Sequence, residues 1–267
     1  MTTFNVKTIA PERVAVGGVH AASGKTVRTR LPVPGVDEAY HPYVTLVGGR
    51  EPGPVVSVIS GVHGAEISSI EATRRLAQTL GPRLLRGTVI VQPVTNLASF
   101  FARSLYVNPV DQKNLNRVFP GSPDGTASER LAYAVVEQLV KPADVVFDLH
   151  GGDIVEALDP FMMAETPPGQ PPNTVAMHLA DLFGLDQVVT DHVGGSLAAV
   201  ATELGKAALL AESGQMPLLV FSLVRCQAVM RSNEALTAAL SWPRGWKNWG
   251  STASKPMTLT PSASATS

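Results

Sequence analysis

The chain has 267 residues, 45% of them hydrophobic, and a formal net charge of −1; this is enough apolar material for a sizeable core in one large domain, or in one domain with an appendage. The near-neutral charge argues against a nucleic-acid surface or an anionic-membrane patch. The single cysteine, Cys226, excludes an internal disulfide framework and a thiolate zinc knuckle, so any metal must use histidine and carboxylate ligands.

The opening stretch, MTTFNVKTIAPERVAV, lacks the basic start and apolar centre of a secretory leader. No apolar run approaches the length of a membrane span. The expectation is a cytoplasmic protein that engages neither nucleic acid nor membrane. Residues 1 to 50 read as strand-rich, with turns at Gly17-Gly18, Pro32 to Gly35 and Gly48-Gly49. PVVSVIS (54–60) is a β-branched run that fits a buried strand. EISSIEATRRLAQTL (66–80) places Ile67, Ile70, Leu76 and Leu80 roughly on one helical face, and Gly81-Pro82 ends it. GTVIVQPV is a second buried strand. Residues 103 to 126 read as loop, SERLAYAVVEQLV as a helix starting near Ser128, and ADVVFDLH as a strand. Beyond a Pro-rich loop at 166–172 come a helix (TVAMHLADLF), a strand (QVVTD), a helix (SLAAVATEL) and a strand (KAALLAE). Strands alternating with helices predict an α/β fold, a mostly parallel mixed sheet flanked by helices on both faces.

The composition then changes. All three tryptophans and the cysteine lie after Gln215, with five basic residues against one acid, Glu234. The final STASKPMTLTPSASATS has a disorder-prone composition. A boundary near Gly214 divides a domain at 1–214 from an atypical segment at 215–267.

Three predicted strands end in groups able to do metal chemistry. VVSVIS runs into His63, DVVFDLH ends on His150, and KAALLAE ends on Glu212. In an open parallel sheet, ligands bind beyond the carboxyl ends of the strands. A catalytic zinc site takes about three protein ligands and leaves one position for water. His63 and Glu66 supply two ligands from one strand-to-helix corner, where Gly61 and Gly64 permit a tight turn; His150 supplies the third. Glu212 fits a buried general base beside such a metal. Asn116 and Arg117, in the long loop, can grip a substrate carboxylate.

Each residue also has a plainer reading. Glu66 is an acid of the kind favoured at a helix N-terminus. His150 is equally a core histidine satisfied by backbone, and Glu212 a helix cap. Asp148, two residues before His150 on the same strand face, either orients a ligand or serves as a structural hydrogen-bonding partner. Arg117 would, on this reading, pair with a local acid such as Asp111.

GVHGAE, NLNRVFPG, DLHGG and LLAESG, in this order and spacing, resemble the succinylglutamate desuccinylase/aspartoacylase family over roughly residues 10 to 214. The resemblance implies a carboxypeptidase-like α/β fold and one zinc ion per chain, held by His63, Glu66 and His150. It implies Glu212 as general base and then acid, and Asn116 and Arg117 on the carboxylate of a small N-acyl substrate. The implied reaction is hydrolysis of an amide, or an ester, by metal-activated water.

Two departures stand out. Where the family often carries an arginine before an aromatic, this chain has Leu105 before Tyr106, with Arg103 two residues earlier. Losing that cation would cost on the order of 3 kcal/mol of transition-state stabilisation, by analogy with oxyanion donors. Beyond Gln215 the sequence does not resemble the acidic, helical continuation and β-rich C-terminal region of the family, and the expectation is that these are lost or replaced. The break suggests a shift of reading frame, which sequencing the gene across codons 210 to 220 tests. A carboxypeptidase acting on peptides and a catalytically impaired metal-binding homologue are the alternative readings. SGKT at 23–26 lacks the first glycine of a phosphate loop at the required spacing, and Pro32 and Pro34 forbid the helix that should follow.

Overall fold

The computed structural model describes residues 7–84 and 86–212; the expected boundary near Gly214 and the segment after it lie outside the described residues. The chain opens with a hairpin, β1 (Ala15–Val16) and β2 (Val19–His20), joined by Gly17-Gly18. Both glycines have positive φ, the requirement of a two-residue hairpin turn. Then follow β3 (Thr26–Arg30), β4 (Tyr43–Gly48), β5 (Glu51–Ser60), α1 (Ile67–Thr79), β6 (Arg86–Gln92), α2 (Leu97–Ala102) and α3 (Ala127–Val135). SGKT forms a turn leading into β3 rather than a helix. α3 continues through a π-helical turn, Val136–Val140, into β7 (Val145–His150). The remaining elements are β8 (Phe161–Glu165), α4 (Thr174–Phe183), β9 (Val188–Asp191), α5 (Leu197–Glu203) and β10 (Ala207–Glu212).

One eight-stranded sheet carries the fold, in the order β3-β4-β6-β5-β7-β10-β8-β9. The central four strands, β6, β5, β7 and β10, run parallel to one another. β4 joins β6 antiparallel, and β8 joins β10 antiparallel. The sequence reading missed β8. Its residues, FMMAE, carry no β-branched side chain and follow a loop, so the usual strand signal is absent. Because β8 reverses direction, β9 runs parallel to β8 and opposite to the central strands.

Alternation along the central strands divides the core into two layers. Val55, Ile59, Val146, Ala208 and Leu210 face Leu131, Val135 and Leu139 on the α3 side and Leu197 and Val200 of α5. Val56, Val58, Val145, Phe147 and Leu209 face Leu76 and Leu80 on the α1 side and Leu179 and Phe183 of α4. Continuous apolar runs therefore mark strands buried on both faces. From β5 the chain passes through α1 to β6 on one side, then through α3 to β7 on the other. Strand order thus reverses at β5, and a crevice opens beyond the carboxyl ends of β5 and β7. No helix among the described residues is long and apolar enough to cross a membrane.

Candidate active site

The crevice at the strand reversal holds the predicted cluster. Gly61 follows β5 with φ 64°, which lets the chain leave the strand sharply. Gly64 is needed for a different reason: a Cβ there would lie 2.2 Å from the backbone nitrogen of Phe100. α2 therefore packs its backbone directly on the corner that presents His63. Glu66 occupies the N-cap position of α1, yet its side chain makes no capping hydrogen bond. It turns instead between the two histidines, with Oε1 2.6 Å from His63 Nδ1 and Oε2 2.9 Å from His150 Nδ1. The plain helix-terminus reading of Glu66 does not describe it.

All three side chains are buried. They can each offer one ligand atom such that these atoms lie within 4.8 Å of one another. The opposite ring nitrogens are also engaged. His63 Nε2 lies 3.0 Å from Asn114 Oδ1, and His150 Nε2 lies 3.0 Å from Asp148 Oδ1. Each Nε2 thus faces an acceptor and each Nδ1 faces the Glu66 carboxylate, so both imidazoles sit between acceptors. A proton or a cation between the rings and Glu66 satisfies this arrangement, and two imidazoles with one carboxylate are a donor set that suits zinc. Burial opposes ionisation of Glu66, but His150 and His63 outweigh it and bring its pKa to about 2. Burial likewise opposes a charged His150, yet Asp148 and Glu66 hold its pKa well above the ordinary histidine value. The site thus demands positive charge.

Glu212 ends β10 in register with His150 on β7. Its Oε2 is buried without a hydrogen-bond partner among the described residues. Burial, only partly offset by His150 and reinforced by Glu66 and Asp148, pushes its pKa up to about 8. A carboxyl group tuned toward neutrality beside a metal-ligand cluster is suited to exchanging protons.

Asn116 and Arg117 lie on the neighbouring loop. Asn116 is buried, and its Oδ1 accepts from the N–H of Leu197, the first residue of α5, at 2.9 Å. Part of its amide is thus committed to the fold. Arg117 is exposed; its Nη1 donates to the Asn116 carbonyl at 2.7 Å. Among the described residues Arg117 makes no ion pair. Asp111, the acid expected on the plain reading, accepts instead from Ser128 N and Ser128 Oγ, both at 2.8 Å. Arg103 is exposed and closes α2 with φ 54°, and it makes no ion pair among the described residues.

Two neighbours went unassigned in the sequence. Asn114 was visible only as the first letter of NLNR. Tyr106 sets its ring edge-on against His63, centroids 5.7 Å apart. A hydrogen bond to Asp153, with burial and surrounding acids, pushes its pKa up to about 12. The Leu105-Tyr106 departure was the only signal for Tyr106.

Residues 52–240 match the family model described as the succinylglutamate desuccinylase/aspartoacylase catalytic domain. The chain belongs to this family. A curated relative, the N-alpha-acetyl-L-2,4-diaminobutyric acid deacetylase of Halomonas elongata, is 38% identical over 118 residues, 44% of this chain and 34% of the relative. The chain is thus aligned with about a third of that protein. Among solved structures, the product-bound ectoine utilization protein EutE (DoeB) of Ruegeria pomeroyi aligns with TM-score 0.71 and 21% identity, covering 97% of this chain and 76% of that one. An aspartoacylase family protein from Mesorhizobium loti aligns with TM-score 0.64 and 26% identity, covering 83% and 68%. These likenesses bear out the mostly parallel, carboxypeptidase-like α/β fold read from the sequence.

Proposed function

We propose that this family member is a zinc-dependent hydrolase that removes the acyl group from a small N-acyl amino acid, or a similar amide or ester carrying a carboxylate. The observation that carries the reading is the convergence of His63, Glu66 and His150 on one point, with Glu212 beside His150. The name of the Halomonas relative favours N-acetylated diamino acids as the first substrates to assay.

In this reading His63, Glu66 and His150 hold the metal. When bound, zinc acidifies water and polarises an acyl carbonyl. Glu212 accepts the water's proton and later delivers it to the departing nitrogen. Arg117 offers an exposed guanidinium, unpaired among the described residues, to the substrate carboxylate. Asn116 reaches the same ligand only with the part of its amide not spent on α5.

The test is zinc content with turnover. The purified protein and its His63→Ala variant are compared for zinc per chain, then for hydrolysis of N-acetyl and N-succinyl amino acids, with short peptides alongside. About one zinc and deacylation in the parent, and loss of both in the variant, is the expected result. Peptide cleavage without deacylation would replace this reading by a carboxypeptidase. Zinc without turnover of any substrate would favour the impaired homologue.

A further inference from the structure

We infer that Glu165 is a positioning residue for Arg117: it hooks the turn between β9 and α5, and that turn seats the backbone of Arg117. The inference rests on the reading of Arg117 as the group that binds the substrate carboxylate. Glu165 ends β8 on the side away from the metal-ligand cluster. Phe161 pairs with Glu212 and Ala164 with Leu209, so Glu165 lies four strand residues, about 13 Å, from the level of Glu212. Its side chain is wholly inaccessible to solvent, and a buried carboxylate is costly unless paired. Its two partners are consecutive residues. Oε1 accepts from Val193 N at 2.9 Å and lies 2.9 Å from His192 Nδ1. The other oxygen, Oε2, is buried without a hydrogen-bond partner among the described residues. What compensates Glu165 thus comes from the start of one turn, and displacing that turn would strand the carboxylate.

From Val193 the chain runs straight to Arg117. Ser196 N donates to Val193 O at 3.0 Å, closing a β-turn. Gly195, at the third position of that turn, has φ 77°, the left-handed value found there in type II turns. A Cβ on Gly195 would lie 2.6 Å from the carbonyl oxygen of Arg117, so the two backbones are in direct contact. Gly195 O accepts from Phe119 N at 3.1 Å, and Leu197 N donates to Asn116 Oδ1 at 2.9 Å. Residues on both sides of Arg117 are therefore held by the same turn, while its own guanidinium donates to the Asn116 carbonyl. An exposed arginine on a loop pinned in this way loses less freedom on binding a ligand than one on a free loop. Glu165→Met keeps the bulk of the side chain but removes the acceptor for Val193 and His192. Glu165→Gln keeps an acceptor oxygen. The two variants separate the hook from the packing around it.

The experiment uses the full chain, with N-acetyl amino acids as substrates. KM and kcat are measured for the parent, Glu165→Met and Glu165→Gln, and for Arg117→Ala with and without Glu165→Met. Amide hydrogen exchange is followed at Phe119 and Leu197, whose N–H groups bond across the contact. Glu165→Met is expected to raise KM about 2–30-fold, the range for residues that act on a site through intervening contacts. Its kcat should stay within about twofold of the parent, the split that marks lost binding rather than lost chemistry, and exchange at Phe119 and Leu197 should quicken. Glu165→Gln should stay close to the parent in KM. In the Arg117→Ala background, Glu165→Met should change KM no further, because its effect runs through Arg117. A KM rise of the same size in both backgrounds would mean general loosening of the fold and would overturn the inference. So would a methionine variant with unchanged KM and exchange, or a glutamine variant as impaired as the methionine one. If Glu165→Met does not fold, His192→Ala, at a partly exposed position, takes its place with the same expected directions. A parent that hydrolyses no N-acyl amino acid would sink the deacylase reading, and an unchanged KM in Arg117→Ala would sink the carboxylate reading. In either case exchange alone judges the hook: quickened exchange in Glu165→Met sustains it and unchanged exchange overturns it.

Discussion

Asp148 holds its carboxylate 3.0 Å from His150 Nε2 while its side chain is wholly inaccessible to solvent. A buried carboxylate is costly unless paired, and here the pairing orients a ring whose other nitrogen faces Glu66. Of the two roles open to Asp148 in the sequence, orientation of the ring is the one its distance supports. Asp148→Asn keeps shape and volume but removes the charge. If His150 binds the metal, we expect zinc affinity to fall about 10–100-fold, the scale for residues that back metal-bound histidines, with the far-ultraviolet circular dichroism unchanged. Chelator competition checks it, and unchanged affinity would reduce Asp148 to a packing residue.

Asn116 and Arg117 are adjacent in sequence but differ in what they give the fold. Asn116 Oδ1 accepts from Leu197 N, the first residue of α5, so Asn116→Ala should cost about 1–3 kcal/mol of stability, the cost of leaving a buried donor unpaired. Arg117 is exposed and without an ion pair among the described residues, so Arg117→Ala should leave the denaturation midpoint almost unchanged. If its guanidinium binds the substrate carboxylate, a charged hydrogen bond of about 1.5–3 kcal/mol is lost, and KM rises on the order of tenfold to a hundredfold. Denaturation curves and steady-state kinetics on the two variants separate these effects. An unchanged KM in Arg117→Ala would remove Arg117 from the site.

Gly64 and Gly81 make a matched pair for the corner that carries His63. A Cβ on Gly64 would meet Phe100 N at 2.2 Å and the Ser99 carbonyl carbon at 2.4 Å, both backbone atoms. A Cβ on Gly81 would meet nothing within 4 Å. Backbone neighbours cannot rotate away, so Gly64→Ala must push α2 off the corner, at a cost of about 3 kcal/mol or more by the scale of overpacked cores. Gly81→Ala should lie within about 0.5 kcal/mol of the parent. Chemical denaturation of both variants checks the contrast; equal stability would mean that the corner yields easily.

The parts of this molecule that could be read in the sequence are those governed by local rules. Val55 to Ser60 and Val145 to His150 are apolar because the central strands are buried on both faces. Their ends fall together because parallel strands share a carboxyl edge, which is why position alone singled out His63, His150 and Glu212 as candidates. β8 was missed because Met162 and Met163 carry no strand signature, and with it the reversal that sets the direction of β9. Asn114 and the commitment of Asn116 Oδ1 to α5 were missed for another reason. They depend on loops meeting across 51 and 81 residues, which no periodicity reports. The contact of Tyr106 with His63 is of the same long-range kind.

Glu212 gives a prediction in which stability and function pull apart. Burial raises its pKa from the ordinary carboxylate value of 4.5 to about 8. Between these two values the unfolded chain has released the proton while the folded chain retains it. The folded state binds more protons there, so its stability falls as pH rises from about 4.5 to about 8. A tenfold difference in proton affinity between the two states is worth about 1.4 kcal/mol, so the loss across the window is a few kcal/mol. Below the lower value both states are protonated and Glu212 contributes no slope; above the upper value the loss is complete. Glu212→Gln removes this titration while keeping nearly the same volume. In metal-free protein, the stability of the variant relative to the parent should therefore grow steadily from pH 5 to pH 8 and then level off. His150, whose raised pKa also stabilises the fold at lower pH, interacts with the Glu212 charge, so the variant alters its slope too, chiefly above about pH 8 where Glu212 is ionised. The same variant should lose about 10²–10⁴-fold in kcat if Glu212 is the proton carrier. Denaturation midpoints at unit pH steps, read beside kcat, settle both halves. A flat difference across pH 5 to 8 would show that the carboxyl is not held neutral by the fold, and full activity in the variant would assign the proton transfer to another group.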